Sequence, residues 1–451
     1  MFNPTKITTR LSIGVLIFLS LKTSAQVDIY DQLWNNPEVN ERIETNIEKY
    51  RKGDAAIVIL GKDKKPVPNA KVTIQQVSHE FLFGCNLFAI GQLKTPELNH
   101  KYETSFINLF NSATVPFYWG DLEPEEGKVR FKEGSSTVWR RPPPDQLVRW
   151  CKEHDIMPKG HALMYAKNMF MPDWTIRDNP EAFLRQGHKH IARIAKRYGD
   201  AFPIWDVANE EIPRIRHLDQ WHKVPDDYLE WCFREAETLF PKSVKMLYND
   251  GTEEVHKNVE EYTTLFSRLI KQNIKVDGMG IQFHIYNRPA MLEGKLYPPD
   301  ELFNVYEQLS PMNLPLYITE ITIPGKGENG AALQGKIVKN LYRLWFSTPN
   351  MAGITWWNLG DGTAFEEENK AMGGLIDEEM NPKPAYQALD KLINHDWKTN
   401  EEISTNPAGE VRFRGFHGKY RVLVSANGIN KEFTFILKSG EQLNQATFQL
   451  K

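Results

Sequence analysis

The chain has 451 residues, and its 55 Lys and Arg against 58 Asp and Glu give a formal net charge of −3. This near balance gives no electrostatic reason to expect nucleic acid or an anionic membrane as a partner. Hydrophobic residues make up 41% of the chain and aromatic residues 12%. That composition is typical of folded globular proteins and excludes disordered, collagen-like and coiled-coil chains.

The first 25 residues have the pattern of a secretory signal peptide. Lys6 and Arg10 precede an apolar run at residues 11–21, and small residues follow the run up to Ala25. The run is shorter than the ~20 apolar residues that a membrane-spanning helix needs. We therefore expect cleavage after Ala25, a mature chain that begins at Gln26 and does not enter the membrane, and a secreted or periplasmic location.

Both ends of the mature chain carry strand patterns. A helix is predicted at residues 36–51, followed by strands at 55–60 and 70–75 that a turn-rich segment joins as a β-hairpin. Near the carboxyl end, strands are predicted at 411–413, 420–425, 431–437 and 445–450. Neither group alone has enough strands to be stable, so segments 26–80 and 399–451 are expected to pack together as a small β-module. This module could bind polysaccharide or serve only as a scaffold.

Between these ends, short apolar runs alternate with longer amphipathic stretches. Amphipathic periodicity predicts helices at residues 180–198, 226–239, 255–271 and 331–346, among others. Strand followed by helix, repeated eight times, is the pattern of a (β/α)8 TIM barrel in the α/β class, here predicted over residues 81–398. The eight predicted strands are 81–85, 112–115, 158–164, 203–208, 244–248, 279–284, 316–319 and 353–357.

Polar side chains follow several of these strands, at the end of the barrel where active sites lie. Two of them are carboxylates, Glu210 after the fourth strand and Glu320 after the seventh. A pair of carboxylates that flanks a glycosidic bond is the minimum machinery for its hydrolysis. Aromatic rings can stack on the apolar faces of sugars, and the rings expected near the cleft are those of Tyr165, Trp174, Trp205, Trp356 and Trp357.

Six ordered segments resemble glycoside hydrolase family 10, the endo-β-1,4-xylanase family. Trp205-Asp206-Val207-Ala208-Asn209-Glu210 is similar to the acid/base segment, and Ile318-Thr319-Glu320 is similar to the nucleophile segment. The resemblance covers roughly residues 81–393. The remaining matches are Gly160-His161-Ala162-Leu163, Leu247-Tyr248-Asn249-Asp250, Gln282-Phe283-His284, and Asp377 with Asn381-Pro382-Lys383-Pro384-Ala385-Tyr386.

The resemblance implies a retaining mechanism in which Glu320 is the nucleophile and Glu210 the acid/base. By the same resemblance, Asn209 binds the sugar 2-hydroxyl, His284 orients the nucleophile and His161 holds a sugar hydroxyl. No metal and no cofactor is implied, and the expected partner is xylan or a related β-glycan, bound by a monomer. The full set of predicted substrate-binding residues is His161, Asn209, Gln282, His284, Trp357, Trp119 and Tyr165, with Tyr248 and Asp206 as supporting residues.

The sequence departs from the family where the non-reducing side of the substrate should bind. After the second strand the family carries Glu-Asn and then Lys-Trp, whereas this chain has Phe117, Tyr118 and Trp119 without Glu, Asn or Lys. After the third strand, Tyr165 and Ala166 stand where the family has Trp and His. If the substrate is xylan, Phe117, Tyr118 and Trp119 are expected to replace the missing contacts.

Three alternatives stay open. The chain could act on a different β-glycan or on a decorated oligosaccharide, or it could be a catalytically silent carbohydrate-binding protein. A hydrolytic metal site built from His161, His284 and the glutamates is also conceivable. Among neighbouring residues, Glu211 could be a solvated charge at a helix start, and His188 and His190 are predicted to be surface residues because residues two apart on a helix do not share a face.

Overall fold

The computed structural model describes residues 28–450, so the predicted signal peptide lies outside the described residues. The described chain begins with α1 (Ile29–Trp34), α2 (Pro37–Arg51), β1 (Lys52–Leu60) and β2 (Lys71–His79). Helix α2 begins where the Asn36 side chain accepts a hydrogen bond from the Glu38 amide and Pro37 occupies the first turn. Among residues 28–450, no helix combines the length and apolar character needed to cross a membrane.

Eight parallel strands then close into a barrel in the order β10-β3-β4-β5-β6-β7-β8-β9. Each of the eight predicted strands coincides with one of them, so the predicted (β/α)8 barrel is confirmed. The barrel strands are β3 (Leu82–Asn86), β4 (Ser112–Pro116), β5 (Met157–Met164), β6 (Ile204–Asn209), β7 (Lys245–Asp250), β8 (Gly278–His284), β9 (Leu316–Thr322) and β10 (Met351–Trp356).

Helices and loops alternate with these strands. The helix predicted at 255–271 is two helices, because Asn258 adopts non-helical backbone angles (φ −131°, ψ 43°) and starts a new helix. The helices of this region are α3 (Pro96–Leu109), α4 (Trp119–Leu122), α5 (Pro144–Glu153), α6 (Pro180–Tyr198), α7 (Glu211–Arg216), α8 (Tyr228–Leu239), α9 (Thr252–His256), α10 (Val259–Lys271), α11 (Arg288–Leu292), α12 (Pro299–Leu309), α13 (Gly330–Ser347), α14 (Glu366–Lys370) and α15 (Pro384–Asp390).

The chain ends in β11 (Asn400–Ser404), β12 (Glu410–Phe416), β13 (Gly418–Ala426), β14 (Ile429–Leu437) and β15 (Asn444–Gln449). These strands form two sheets with the amino-terminal ones, in the orders β12-β1-β15 and β11-β2-β13-β14. The predicted hairpin is therefore wrong, because β1 and β2 lie in different sheets. Their inward residues, such as Ile57 on β1 and Ile74 on β2, cover one shared apolar core from both sides, which a two-stranded hairpin could not do.

The β-module sits at the amino-terminal end of the barrel strands, opposite the end where the polar motifs lie. His417 and Ser439 of the module line one cavity together with Met157, Ile204 and Lys245, which stand at the starts of three barrel strands. The module therefore does not reach the catalytic end of the barrel.

Arg51 connects the amino-terminal helix α2 to the barrel helix α13. It is the last residue of α2, it is 9% exposed, and its guanidinium donates hydrogen bonds to the carbonyl oxygens of Phe346 and Thr348 at the end of α13. These carbonyls are among those that a helix end leaves without a partner. One buried side chain thus closes the end of a barrel helix and fixes α2 against it.

Replacing Arg51 by Met should lower the free energy of unfolding by about 2–4 kcal/mol, because two buried carbonyl groups lose their donor. Urea unfolding monitored by tryptophan fluorescence measures this change. Lys49→Met, at an exposed position on the same helix, is the matched control and should change stability little. A loss no larger than that of the control would show that Arg51 does not hold the two parts together.

Candidate active site

The polar residues at the carboxyl ends of the barrel strands are brought side by side by the register of the sheet. Asn209 on β6 is the pairing partner of Asn249 on β7, and Gln282 on β8 is the partner of Glu320 on β9. Neighbouring parallel strands lie about 4.8 Å apart. Four side chains that are remote in sequence therefore share one wall of a cleft.

Glu320 is 5% exposed and is surrounded by donors. Asn249 Nδ2 donates to Oε1 over 2.8 Å, and Gln282 Nε2 lies 3.4 Å from the same oxygen. His284 Nε2 is 3.2 Å from Oε2, and His161 Nε2 is 3.9 Å from Oε1. These contacts fix the direction of the carboxylate.

Glu210 is more open, with 18% of its side chain exposed. Asn209 Nδ2 and Gln282 Nε2 lie 3.4 Å and 3.2 Å from its Oε1, and Lys167 Nζ is 3.7 Å from its Oε2. The pKa of the nearby Tyr165 is well above its usual value, first because of burial and second because of the charge of Glu210. Glu210 therefore has fewer fixed donors than Glu320 and more access to solvent, as a group that exchanges protons requires.

The backbone of Glu210 is held in the left-handed region, with φ 56° and ψ 52°. This conformation is costly for a residue with a Cβ atom. The next two amides are satisfied by side chains of β7, because Glu211 N donates to Tyr248 Oη over 3.0 Å and Ile212 N donates to Asp250 Oδ2 over 3.2 Å. Tyr248, predicted as a supporting residue, thus holds the turn that presents the carboxylate.

The contacts of one amide nitrogen set an upper limit on the distance between an oxygen of Glu210 and an oxygen of Glu320. Gln282 Nε2 is 3.2 Å from Glu210 Oε1 and 3.4 Å from Glu320 Oε1, so these oxygens are no farther apart than the sum of those distances. Carboxyl groups are about 5–5.5 Å apart in retaining glycosidases and about 6.5–9.5 Å apart in inverting ones. The observed limit reaches only the lower edge of the inverting range and is compatible with the retaining separation.

Behind Glu320 lies a buried charged pair, Asp206 and Lys159. Asp206 is fully buried, and its Oδ2 accepts hydrogen bonds from Lys159 Nζ over 2.7 Å and from His161 Nδ1 over 2.8 Å. Burial alone would raise the pKa of Asp206, but the charge of Lys159 and the hydrogen bond from His161 outweigh it and lower that pKa. The ionised Asp206 orients His161 so that Nε2 points toward Glu320.

His284 is the second imidazole beside Glu320. Its Nδ1 is 2.9 Å from Thr322 Oγ1, and its Nε2 faces Glu320. Burial lowers the pKa of His284, but the hydrogen bond to Glu320 and the charges of Glu320, Glu368 and Glu210 outweigh it, so that the pKa is raised above 6.5. His284 therefore binds a proton more tightly beside Glu320 than a free imidazole does.

Two of the predicted aromatic residues border the carboxylates. The ring of Trp357 meets those of His161 and His284 edge-on, at centroid distances of 5.4 Å and 6.3 Å. Tyr165 stacks on Phe170 at 4.7 Å and lies beside Glu210. Trp356 is also expected near the cleft from the sequence but points the other way and is fully buried, because successive strand residues face opposite sides. Trp205 is fully buried as well, where it packs against Phe117.

The three aromatic residues after β4 do not all face the cleft. Tyr118 does, since its ring centroid is 5.5 Å from that of His161. Phe117 is fully buried against Trp205, and Trp119 is 4% exposed with its indole N–H bonded to Glu123. The structure therefore does not bring Trp119 to the carboxylates as predicted, because consecutive residues at the strand end project in different directions.

Two further sequence predictions need correction. His190 is 2% exposed rather than on the surface, because its ring stacks on Trp119 at 4.3 Å. Glu211 is 3% exposed rather than solvated, because it forms a buried ion pair with Arg214. His188, in contrast, is at the surface and pairs with Glu235 over 2.7 Å.

Sequence reasoning missed several polar residues of the cleft. Asn249 lies in a matched segment without an assigned role, although its Nδ2 contacts Glu320. Lys167 follows β5 by three residues and reaches Glu210. Arg140 on the loop before α5 bonds to Asn358 after β10, and Asn358 bonds to Glu368 on α14; no motif marks these three residues.

Within residues 28–450, no group of three or more His, Cys, Asp or Glu side chains is placed to hold a metal ion. The two imidazoles near Glu320 use their other ring nitrogens for Asp206 and Thr322. Nothing in the described cleft therefore argues for the metal-site alternative.

The raised pKa of His284 predicts how the contribution of this residue to stability depends on pH. The folded state binds the proton more tightly than an imidazole with a pKa of 6.5, so the stabilisation is fully present below pH 6.5 and is lost as pH rises through the folded pKa. The difference in unfolding free energy between the wild type and His284→Gln should thus shrink with rising pH. Urea unfolding at several pH values measures it, with exposed His188→Gln as control, and a difference that grows above pH 6.5 would contradict the assignment.

Comparison with known proteins agrees with this geometry. The sequence matches the family described as Glycosyl hydrolase family 10 over residues 86–392. It is 23% identical over 295 residues to endo-1,4-beta-xylanase B of Thermotoga neapolitana, covering 62% of this chain and 79% of that protein. It is 25% identical over 418 residues to anti-sigma-I factor RsgI6 of Acetivibrio thermocellus, covering 92% of this chain but only 50% of that protein.

The structure is similar to that of xylanase 10B from Thermotoga petrophila RKU-1 in complex with xylobiose, with a TM-score of 0.56 and 22% identity. This likeness covers 71% of the present chain and 98% of the other, and it shows the shared barrel fold. The chain spans half the length of the Acetivibrio relative. By its family match over most of the barrel, the chain belongs to glycosyl hydrolase family 10.

Proposed function

We propose that this protein is a retaining β-glycoside hydrolase, an endo-β-1,4-xylanase that cleaves the backbone of xylan without a cofactor. The observation that carries the proposal is the position of Gln282 Nε2, within hydrogen-bond distance of both Glu210 and Glu320. The two carboxylates can therefore act on the two sides of one glycosidic bond. Membership of the family and the names of its xylanase relatives support xylan as the substrate.

The reaction takes place in two steps. In the first, a Glu320 oxygen attacks the anomeric carbon and forms a glycosyl-enzyme ester, while Glu210 gives its proton to the leaving oxygen as the glycosidic bond breaks. In the second, Glu210 takes a proton from water, the water oxygen attacks the same carbon, and Glu320 leaves. Two inversions at one carbon give net retention.

The contacts of each carboxylate fit its role. Asn249 and His284 hold Glu320 so that one lone pair can face the anomeric carbon. His284 binds its proton more tightly beside Glu320 than a free imidazole does. Asn209 stands next to Glu210 and bonds to Asn249, a fixed position from which its side chain can meet the sugar 2-hydroxyl.

A second candidate is the same mechanism on a different β-glycan or a decorated oligosaccharide. It is favoured by the end of β4, where Tyr118 faces the cleft and the three residues that follow the strand, Phe117, Tyr118 and Trp119, include no Glu, Asn or Lys. Comparing xylan, mixed-linkage glucan and mannan as substrates distinguishes the two candidates.

Replacing either glutamate by Ala tests the assigned roles. Glu320→Ala should abolish hydrolysis of xylan and of aryl β-xylosides, because no ester can form. Glu210→Ala should lower the rate on xylan by about 10²–10⁴-fold but spare the first step with aryl groups that leave without protonation. Product release from xylan and from a reactive aryl β-xyloside measures both effects.

Added azide separates the two roles further. It should attack the stable ester of Glu210→Ala and give a β-glycosyl azide, whereas in Glu320→Ala it should attack the intact substrate and give the α-product. Gln334→Ala is the control for a general loss of structure, because Gln334 is buried and its side chain donates to the carbonyl oxygens of Ile323 and Gly374. Full xylan hydrolysis by Glu320→Ala would refute the proposal and leave a binding protein or another nucleophile to be considered.

We also propose that the chain is exported and acts as a monomer in the periplasm or outside the cell. Lys6, Arg10, the apolar run at 11–21 and the small residues before Gln26 support export. Expression in a bacterium should give a periplasmic or secreted protein whose amino-terminal peptide, read by mass spectrometry, begins at Gln26. Export would be contradicted if the protein were found only in the cytoplasm or if its amino terminus were intact. Light scattering measures the oligomeric state, and we expect a monomer.

A further inference from the structure

Arg140 is a buried cation in the cleft that the proposed mechanism does not use. It lies on the loop at residues 123–143 between α4 and α5, and it is 5% exposed. Its backbone is in the left-handed region at φ 62°, which costs free energy for a residue with a Cβ atom. Such a residue persists when its surroundings fix it, and strained residues concentrate at functional sites.

The guanidinium is linked to two polar side chains that follow β10, those of Asn358 and of Glu368 on α14. Arg140 Nη2 donates to Asn358 Oδ1 over 2.7 Å, and Asn358 Nδ2 donates to Glu368 Oε2 over 2.8 Å. Arg140 Nε is buried and has no hydrogen-bond partner among residues 28–450. The Asn358 amide thus lies between a cationic donor, Arg140, and an anionic acceptor, Glu368. One N–H group of the guanidinium, at Nε, is not used by the part of the protein that the structure describes.

The position of these three side chains relative to Glu320 follows from the aromatic rings between them. The Arg140 guanidinium lies over the ring of Phe88, 5.3 Å from its centroid. The Phe88 ring meets those of Tyr118 at 6.0 Å and Trp357 at 5.2 Å, and both of these rings meet His161 beside Glu320. The three polar side chains are therefore separated from the two carboxylates by one layer of aromatic rings.

We propose that Arg140, Asn358 and Glu368 bind the vicinal hydroxyl groups of an uncharged sugar next to the reacting sugar, on its non-reducing side. The inference rests on the proposed function and names the residues that replace the polar groups missing after β4. It also makes Arg140 a determinant of specificity that no sequence motif marks.

The chemistry of the three side chains selects the class of ligand. A sugar hydroxyl both donates and accepts a hydrogen bond, so neighbouring hydroxyls can accept from the guanidinium and donate to the carboxylate. A carboxylate substituent on the sugar would gain from Arg140 but would be repelled by Glu368. An uncharged pyranose uses both groups and is therefore favoured over an acidic one.

Aryl β-glycosides with one and with two xylose units test the proposal. In Arg140→Met, kcat/KM for the aryl β-xylobioside should fall about 10–100-fold more than kcat/KM for the aryl β-xyloside, the loss expected for a hydrogen bond to a charged group. Glu368→Gln should give a loss with the same dependence on substrate length. Arg149→Met, which removes an exposed guanidinium of α5, is the matched control and should affect both substrates equally.

The outcomes separate this inference from the proposed function. Equal losses on both substrates, or none, would overturn the inference while leaving the glycosidase activity in place, whereas a wild type that is inert on every glycoside would contradict the activity. Because Glu368 lies on a short surface helix, Glu368→Gln gives an answer even if Arg140→Met fails to fold. Calorimetric binding of xylotetraose to Glu320→Ala, with and without Arg140→Met, tests the contact without turnover, and unchanged affinity would refute it.

Discussion

Two carboxylates that share one amide donor are the constraint on which the cleft depends. Glu210 and Glu320 would repel each other, and two charges 4 Å apart interact by about 4 kcal/mol near a protein surface. The sheet register offsets this repulsion by placing amides beside both groups, with Gln282 between them. Lys167 lies beside Glu210, and His284, whose pKa is raised, lies beside Glu320.

The need to compensate charge extends behind the cleft. His161 can turn Nε2 toward the nucleophile only if Nδ1 is held, and the acceptor that holds it, Asp206, is a fully buried carboxylate. A buried charge is expensive without a partner, and Lys159 on β5 supplies that partner over 2.7 Å. The barrel makes this chain of contacts possible because residues of β5 and β6 are adjacent in register.

The sequence was sufficient to predict the features that depend on local pattern. The eight barrel strands are short apolar runs, and the two glutamates follow them directly, so strand order alone places both at one end of the barrel. The direction in which a side chain points beyond a strand end cannot be predicted in this way, because it depends on packing against residues that are distant in sequence. Trp119 turns away from the cleft to stack on His190. Nothing in the sequence near either residue indicates this contact. Likewise β1 and β2 look like a hairpin until the strands from the other end of the chain supply better partners.

Arg140 shows a further limit of sequence reasoning. Its side chain reaches Asn358, which is 218 residues away in sequence, from a loop whose positive φ is imposed by tertiary contacts. No residue pattern encodes such a meeting. What can be anticipated is the need for it, because the end of β4 lacks polar groups and a sugar left without partners there would bind poorly.

A third carboxylate, that of Asp250, shows how neighbouring groups determine the pKa of a buried acid. Asp250 is fully buried, and burial together with the charges of Glu210 and Glu254 raises its pKa well above the usual value, although the hydrogen bonds from Tyr248 and Gly251 act in the opposite direction. The raised pKa makes Asp250 easier to protonate, and its Oδ2 accepts the Ile212 amide that holds the turn. The pKa of Asp206, which is equally buried, is lowered instead, because the charge of Lys159 and the hydrogen bond from His161 outweigh burial. Two buried aspartates thus have pKa values shifted in opposite directions, and the difference is the cation beside Asp206.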